Sequence, residues 1–278
     1  MPEIILARTS GFCMGVKRAM QMALETAKKS PGHVYTCGPL IHNPQAIEYL
    51  KENGVETVQD WRDIADGTII IRAHGMPSGS IEQIAAQGLG IVDATCPHVV
   101  TSQRQIKKFS DQGFFIFVIG DSKHPEIMSL QSFAAQCMVI STPQEAQNAP
   151  RHDKIMIIAQ TTFNEDEFNR IAEILKTLAT EAIVCNSICQ ATSERQHEIK
   201  SLAAGADAVV IVGGKLSANT RRLAEIATEI CPKTFHVETE SELSAADFKD
   251  CRKIAVSAGA STPDFITSRV IDYLKKLP

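Results

Sequence analysis

Three times along this chain a cysteine opens a helical pattern that leads into a short apolar strand and then a polar loop. Cys13 precedes helical periodicity over 14–29, a strand at 34–36 and the loop Gly38-Pro39-Leu40-Ile41-His42-Asn43. Cys96 precedes a helical stretch over 99–111, a strand at 114–119 and the loop Gly120-Asp121-Ser122-Lys123-His124-Pro125-Glu126. Cys189 precedes a helix over 193–204, a strand at 208–212 and the loop Gly213-Gly214-Lys215-Leu216-Ser217-Ala218-Asn219. His42 follows its cysteine by 29 residues, His124 by 28 and Asn219 by 30. Each copy then runs through a helix to another strand that ends in small polar residues: 69–72 into Ala73-His74-Gly75, 155–159 into Gln160-Thr161-Thr162, and 253–256 into Ser257-Ala258-Gly259-Ala260-Ser261. An internal repeat dictates architecture before any single motif does. This one predicts an α/β protein of three similar units, 14–96, 97–187 and 188–278, joined by an N-terminal strand, 1–13. Each unit carries a small, mainly parallel sheet flanked by helices. Three units that present one cysteine and two polar loops in the same sense can close around a shared centre with pseudo-threefold symmetry.

The bulk properties narrow the function classes. With 278 residues, of which 44% are hydrophobic and 22% charged, the chain has enough apolar surface for a sizeable core. The formal net charge of −4, with no block of Lys or Arg, argues against nucleic acid or an anionic membrane as the main partner. The longest apolar run, near 114–119, reads as a strand and falls well short of a membrane span. The start, Met1-Pro2-Glu3-Ile4-Ile5-Leu6, lacks the features of a secretory signal, so the expected location is cytoplasmic. Eight cysteines in a chain of this length are not a disulfide scaffold, and no C-x-x-C pair occurs. Cysteines that bind metal here must therefore come from distant parts of the chain.

Cys37, Cys137, Cys185, Cys231 and Cys251 read as small buried hydrophobes. Cys13, Cys96 and Cys189 differ because they hold the same place in each repeat. Two of them are also framed by residues that shape the backbone, in Gly11-Phe12-Cys13-Met14-Gly15 and Ala94-Thr95-Cys96-Pro97. Three thiolates suit either zinc or a cubane iron–sulfur cluster with one open iron. The strand-end loops hold His42, His74, His124, Thr161, Asn219 and Ser261, a neutral set of donors that fits a diphosphate. Glu126, two residues after His124, would be the sole carboxylate among them. It becomes a proton carrier if burial raises its pKa, and otherwise is a solvated loop residue.

Taken together the residues resemble the 4-hydroxy-3-methylbut-2-enyl diphosphate reductase (LytB-type) family over essentially the whole chain. The likeness is carried by Gly11-Phe12-Cys13-Met14-Gly15-Val16-Lys17-Arg18-Ala19, Ile41-His42-Asn43-Pro44, Arg72-Ala73-His74-Gly75, Asp93-Ala94-Thr95-Cys96-Pro97, His124-Pro125-Glu126, Gln160-Thr161-Thr162, Ser187-Ile188-Cys189-Gln190-Ala191-Thr192 and Ala258-Gly259-Ala260-Ser261-Thr262-Pro263-Asp264. The resemblance implies a [4Fe–4S] cluster on Cys13, Cys96 and Cys189 at the centre of the three units. It also implies an allylic diphosphate substrate, with ferredoxin or flavodoxin as electron donor. Glu126 would deliver protons and Thr161 hold the substrate hydroxyl, while His42, His74, His124, Ser217, Asn219 and Ser261 bind the diphosphate.

The chain departs from the family pattern in places. The family commonly continues His-Pro-Glu with Val-x-Gly-x-x-Gly, whereas Ile127-Met128-Ser129-Leu130-Gln131-Ser132 has neither glycine. Ala218 replaces one of two adjacent serines, Leu216 stands where a polar residue is common, and the Lys and His common at Ser102 and Arg104 are absent. These departures leave two other readings: a paralogue that removes a hydroxyl from a different small substrate, and a non-catalytic iron–sulfur sensor or carrier.

Overall fold

A computed structural model describes residues 2–277. Met1 and Pro278, the outermost residues of the first strand segment and of the third unit expected from the sequence, lie outside the described residues. The strands are β1 (Glu3–Leu6), β2 (Val34–Cys37), β3 (Val55–Val58), β4 (Thr68–Ile71), β5 (Gly90–Asp93), β6 (Phe115–Ile119), β7 (Cys137–Ile140), β8 (Lys154–Ala159), β9 (Glu181–Cys185), β10 (Ala208–Val212), β11 (Thr234–Val237) and β12 (Lys253–Ala258). The helices are α1 (Met14–Lys29), α2 (Pro44–Glu52), α3 (Ser80–Ala86), α4 (Pro97–Asp111), α5 (Pro125–Gln131), α6 (Pro143–Gln147), α7 (Glu165–Lys176), α8 (Gln190–Ala204), α9 (Ala218–Ile230) and α10 (Asp264–Leu274). No helix among the described residues is long and apolar enough to cross a membrane.

These strands pair, all in parallel, into three sheets of four with orders β3-β2-β4-β5, β7-β6-β8-β9 and β11-β10-β12-β1. The repeat read from the sequence is thus a repeat of topology. In the last sheet the place taken by β5 and β9 is filled from the other end of the chain, by β1, with Ile4 opposite Ile254.

The central strands are nearly continuous apolar runs, FIFVI in β6 and AVVIV in β10, because helices cover both faces. Alternate residues divide between the two sides, as the two-residue period of a strand requires. In the β6–β9 sheet, Phe117, Ile119, Ile155 and Ile157 pack on one side with Phe168, Ile171 and Leu175 of α7. Ile116, Val118, Met156 and Ile158 pack on the other with Ile106 of α4 and Ile127 and Leu130 of α5. The β10–β12 sheet is built alike, with Val210, Val212 and Val256 toward α10 and Val209, Ile211 and Ala255 toward α8 and α9.

By compactness the described chain divides into two units, one formed by 2–17, 41–49 and 190–277, the other by 18–40 and 50–189. The first holds the β11-β10-β12-β1 sheet and the second holds the other two. Two helices begin earlier than their apolar periodicity suggests, at Pro97 and Gln190. Their first turns carry polar residues, so periodicity registers only where the apolar stripe begins.

Candidate active site

In each sheet the chain leaves the first strand toward one edge and returns on its other side, so the order reverses between β2 and β4, β6 and β8, and β10 and β12. Loops beyond the carboxyl ends of strands at such a reversal diverge and leave a crevice, where α/β proteins take their ligands. His124 and Thr161 follow β6 and β8. Ser217, Asn219 and Ser261 follow β10 and β12, and His74 follows β4.

The three cysteines share one local construction. Cys13, Cys96 and Cys189 each lie immediately before a helix, α1, α4 and α8 respectively, and each is half-buried. The backbone N–H of each donates to a carbonyl in the loop after the third strand of its own sheet. Cys13 bonds to Ala260 at 3.1 Å, Cys96 to Ala73 at 3.0 Å and Cys189 to Thr161 at 3.1 Å. The carbonyls of Cys13 and Cys96 accept the first helical bonds, from Lys17 at 2.9 Å and Val100 at 3.0 Å. None of the eight cysteines is in a disulfide. Burial pushes the Cys137 and Cys185 thiols up, making them poor ligands, and Cys231 and Cys251 are buried in apolar clusters.

In the larger unit, Glu126 occupies the first turn of α5 rather than an open loop, and only 2% of it is exposed. Its carboxylate accepts two bonds from one residue, from Thr161 N–H at 2.6 Å and from Thr161 Oγ1 at 2.8 Å. Burial outweighs those bonds and pushes the carboxyl up to about 7. His124 caps the same helix: its Nδ1 accepts from Glu126 N–H at 3.2 Å, which assigns the ring's other nitrogen, Nε2, as the one that carries hydrogen. His74 stands edge-on to His124, with ring centroids 5.2 Å apart. The larger unit therefore pairs a carboxyl poised near neutrality with two imidazoles, next to the loop that holds the Cys189 backbone.

In the smaller unit, Ser217 caps α9 and accepts from Thr220 N–H at 3.3 Å. The Ser261 hydroxyl lies 3.3 Å from both the His42 carbonyl oxygen and Ser217 Oγ. Asn219 is 4% exposed, and neither its Nδ2 nor its Oδ1 has a hydrogen-bond partner among the described residues. A buried amide without partners costs about 1–3 kcal/mol, which a polar ligand would offset. His42, Ser217, Asn219 and Ser261 are thus brought together around the N-terminus of a 13-residue helix, a site suited to an anion.

Several contributors were missed from the sequence. The buried Gln160 accepts from Asp121 N–H at 3.1 Å and donates to Thr162 Oγ1 at 3.0 Å, tying together the loops that hold His124 and Thr161. Its place next to Thr161 in Gln160-Thr161-Thr162 was the available signal. Thr220 and Thr262 are fully buried beneath the Ser261 loop. Gly259 has to be glycine there, because a Cβ would overlap Thr220 Oγ1 and crowd Thr220 Cβ at 3.0 Å. Gly259→Ala should destabilise the protein by about 1–3 kcal/mol or more. A thermal or urea melt checks this; an unchanged midpoint would show that the loop has room to spare.

The model of the LytB protein family matches residues 4–275. The 4-hydroxy-3-methylbut-2-enyl diphosphate reductase of Geotalea uraniireducens is 42% identical over 276 residues, covering 99% of this chain and 98% of that protein. The enzyme of the same name from Aquifex aeolicus is 40% identical over 281 residues, covering 100% and 97%. Among solved structures, an (E)-4-hydroxy-3-methyl-but-2-enyl diphosphate reductase, described as the terminal enzyme of the non-mevalonate pathway, is similar with a TM-score of 0.73 at 39% identity, over 99% of this chain and 100% of that one. The E-1-hydroxy-2-methyl-but-2-enyl-4-diphosphate reductase of Plasmodium falciparum reaches 0.94 at 26% identity, over 100% and 89%.

Proposed function

The chain belongs to the LytB protein family, and from that premise we propose that it is a reductase of 4-hydroxy-3-methylbut-2-enyl diphosphate, forming isopentenyl and dimethylallyl diphosphate. One observation carries the reading. The Thr161 carbonyl accepts from the Cys189 N–H, while the Thr161 N–H and hydroxyl donate to the buried Glu126. A candidate ligand cysteine, a hydroxyl and a proton-bearing carboxyl are thereby linked through a single residue.

Cys13, Cys96 and Cys189 would hold a [4Fe–4S] cluster. The donor set fits: the three thiols hold equivalent places before helix N-termini, outside any disulfide. Bound there, such a cluster supplies single electrons and an iron open to an oxygen ligand, with ferredoxin or flavodoxin as the external donor. The protein's own groups do the rest. His42, Ser217, Asn219 and Ser261, with His74 and His124, would bind the diphosphate, which both products retain, through neutral donors and so anchor the substrate without a competing carboxylate. Thr161 orients the substrate hydroxyl. Glu126, protonated over the lower part of the neutral range, delivers the proton. The units 14–96, 97–187 and 188–278 would each contribute two polar loops to this work, with Cys13, Cys96 and Cys189 standing at their junctions.

Anaerobically purified, reduced protein should convert the hydroxylated allylic diphosphate to both five-carbon products. Absence of turnover with every competent electron donor, in protein with a full complement of iron and sulfide, would reject the reading.

A further inference from the structure

Ser129 and Ser132 carry hydroxyls that are fully engaged. Ser129 is completely buried in α5. Its Oγ accepts from Gln103 Nε2 of α4 at 2.9 Å and donates to the Met76 carbonyl at 2.8 Å. Ser132 Oγ donates to the Ser129 carbonyl at 2.6 Å and accepts from Ser78 N–H at 2.7 Å. Ser78 Oγ returns a bond to the Ser132 carbonyl at 2.6 Å. Helix α5 thus holds the segment after β4 at both Met76 and Ser78.

On its other side the same segment is held at Ala73, whose N–H donates to the Leu40 carbonyl at 3.3 Å and whose carbonyl accepts from Cys96 at 3.0 Å. Between the two attachments lie His74 and Gly75. Gly75 has φ +79°, and a Cβ on it would lie 2.7 Å from Gln103 Nε2 and 2.8 Å from Ser129 Oγ, so the loop rests directly on this pair. His74 is suspended between two fixed points, and His124, to which it stands edge-on, caps the helix that provides one of them. Glu126 is fixed separately, by Thr161.

We infer that Ser129 and Ser132 are positioning residues for diphosphate recognition: through Met76 and Ser78 they hold the His74 loop against α5, so that His74 and His124 meet the anion as one preorganised pair. The inference rests on the proposed function for the identity of the substrate. Because the relay acts on binding groups and not on Glu126, its loss should fall on KM and spare kcat.

The test compares the cluster-loaded protein with Ser129→Ala, Ser132→Ala, the double variant, and Ser132→Thr, which keeps the hydroxyl at the half-buried end of the relay. The double variant should raise KM for the allylic diphosphate, and Kd for inorganic diphosphate, roughly tenfold, as expected for lost hydrogen bonds. Its kcat should stay within about twofold, with an unshifted pH profile. The amides of 76–78 should exchange faster in hydrogen–deuterium exchange. Ser132→Thr should restore the wild-type values. In a His74→Ala background the serine substitutions should add nothing further to Kd, since the group they position is gone. An unchanged KM and Kd in the double variant, or full additivity with His74→Ala, overturns the inference. If Ser129→Ala fails to fold, Ser132→Ala alone decides by the same measurements. Wild-type protein without turnover would reject the proposed function, while inorganic diphosphate affinity and amide exchange would still decide the role of the serines.

Discussion

Glu126→Gln should reduce turnover by roughly 10²–10⁴-fold while leaving cluster content and diphosphate affinity in place, because it removes a proton and not a contact with the anion. Glutamine keeps the size of the side chain and can still accept from Thr161 N–H. The wild-type profile should carry the same signature: with the carboxyl pushed up to about 7, the proton-bearing form is lost as pH rises through that value, and kcat should fall with it. A profile that stays flat through neutrality would remove Glu126 as the acid.

Stability follows the same group. The folded-state pKa lies above its ordinary value of 4.5, so the folded protein binds the proton more tightly than the unfolded chain does. The stabilisation is therefore complete below about pH 4.5 and is lost as pH rises to about 7. The loss is on the order of 3 kcal/mol for a fully buried group. Glu126→Gln should flatten this slope in denaturant titrations across that window. The substitution that stops catalysis should thus make the protein more stable at pH 8.

The second large effect concerns the thiolates. Cys13→Ser, Cys96→Ser and Cys189→Ser should each abolish stable cluster binding, seen as loss of iron, sulfide and visible absorption, with activity lost in parallel. Even the outer partners of metal ligands are worth about 10–100-fold in affinity, and a lost thiolate should cost more than that. Cys137→Ser and Cys185→Ser are the controls, since burial keeps both thiols protonated and neither stands before a helix. Retention of a full cluster in any of the first three variants would show that another residue is the ligand.

The sequence was informative wherever the signal is local. Strands buried on both faces must be apolar at every position, so FIFVI and AVVIV could be read as central strands without further context. The repeated spacing from each cysteine to its two loops predicted three parallel sheets, and the structure has three. Strand order was not legible in the same way: that β1 pairs with β12 depends on which edge is left open once the rest has folded. Gln160, Thr220 and Thr262 were overlooked for a related reason. Buried polar residues have no periodicity, and they become visible only through the partners they find.

By itself the sequence determined the repeat, the parallel α/β class and the residue types at each strand end, because periodicity and spacing are properties of neighbours along the chain. Tertiary packing alone decided that Glu126 is sealed from water against Thr161, that His124 presents Nε2–H, and that Ser129 and Ser132 hold the His74 loop. Desolvation and hydrogen bonding act through space between residues tens of positions apart, and no spacing along the chain encodes how deeply a carboxyl will be buried.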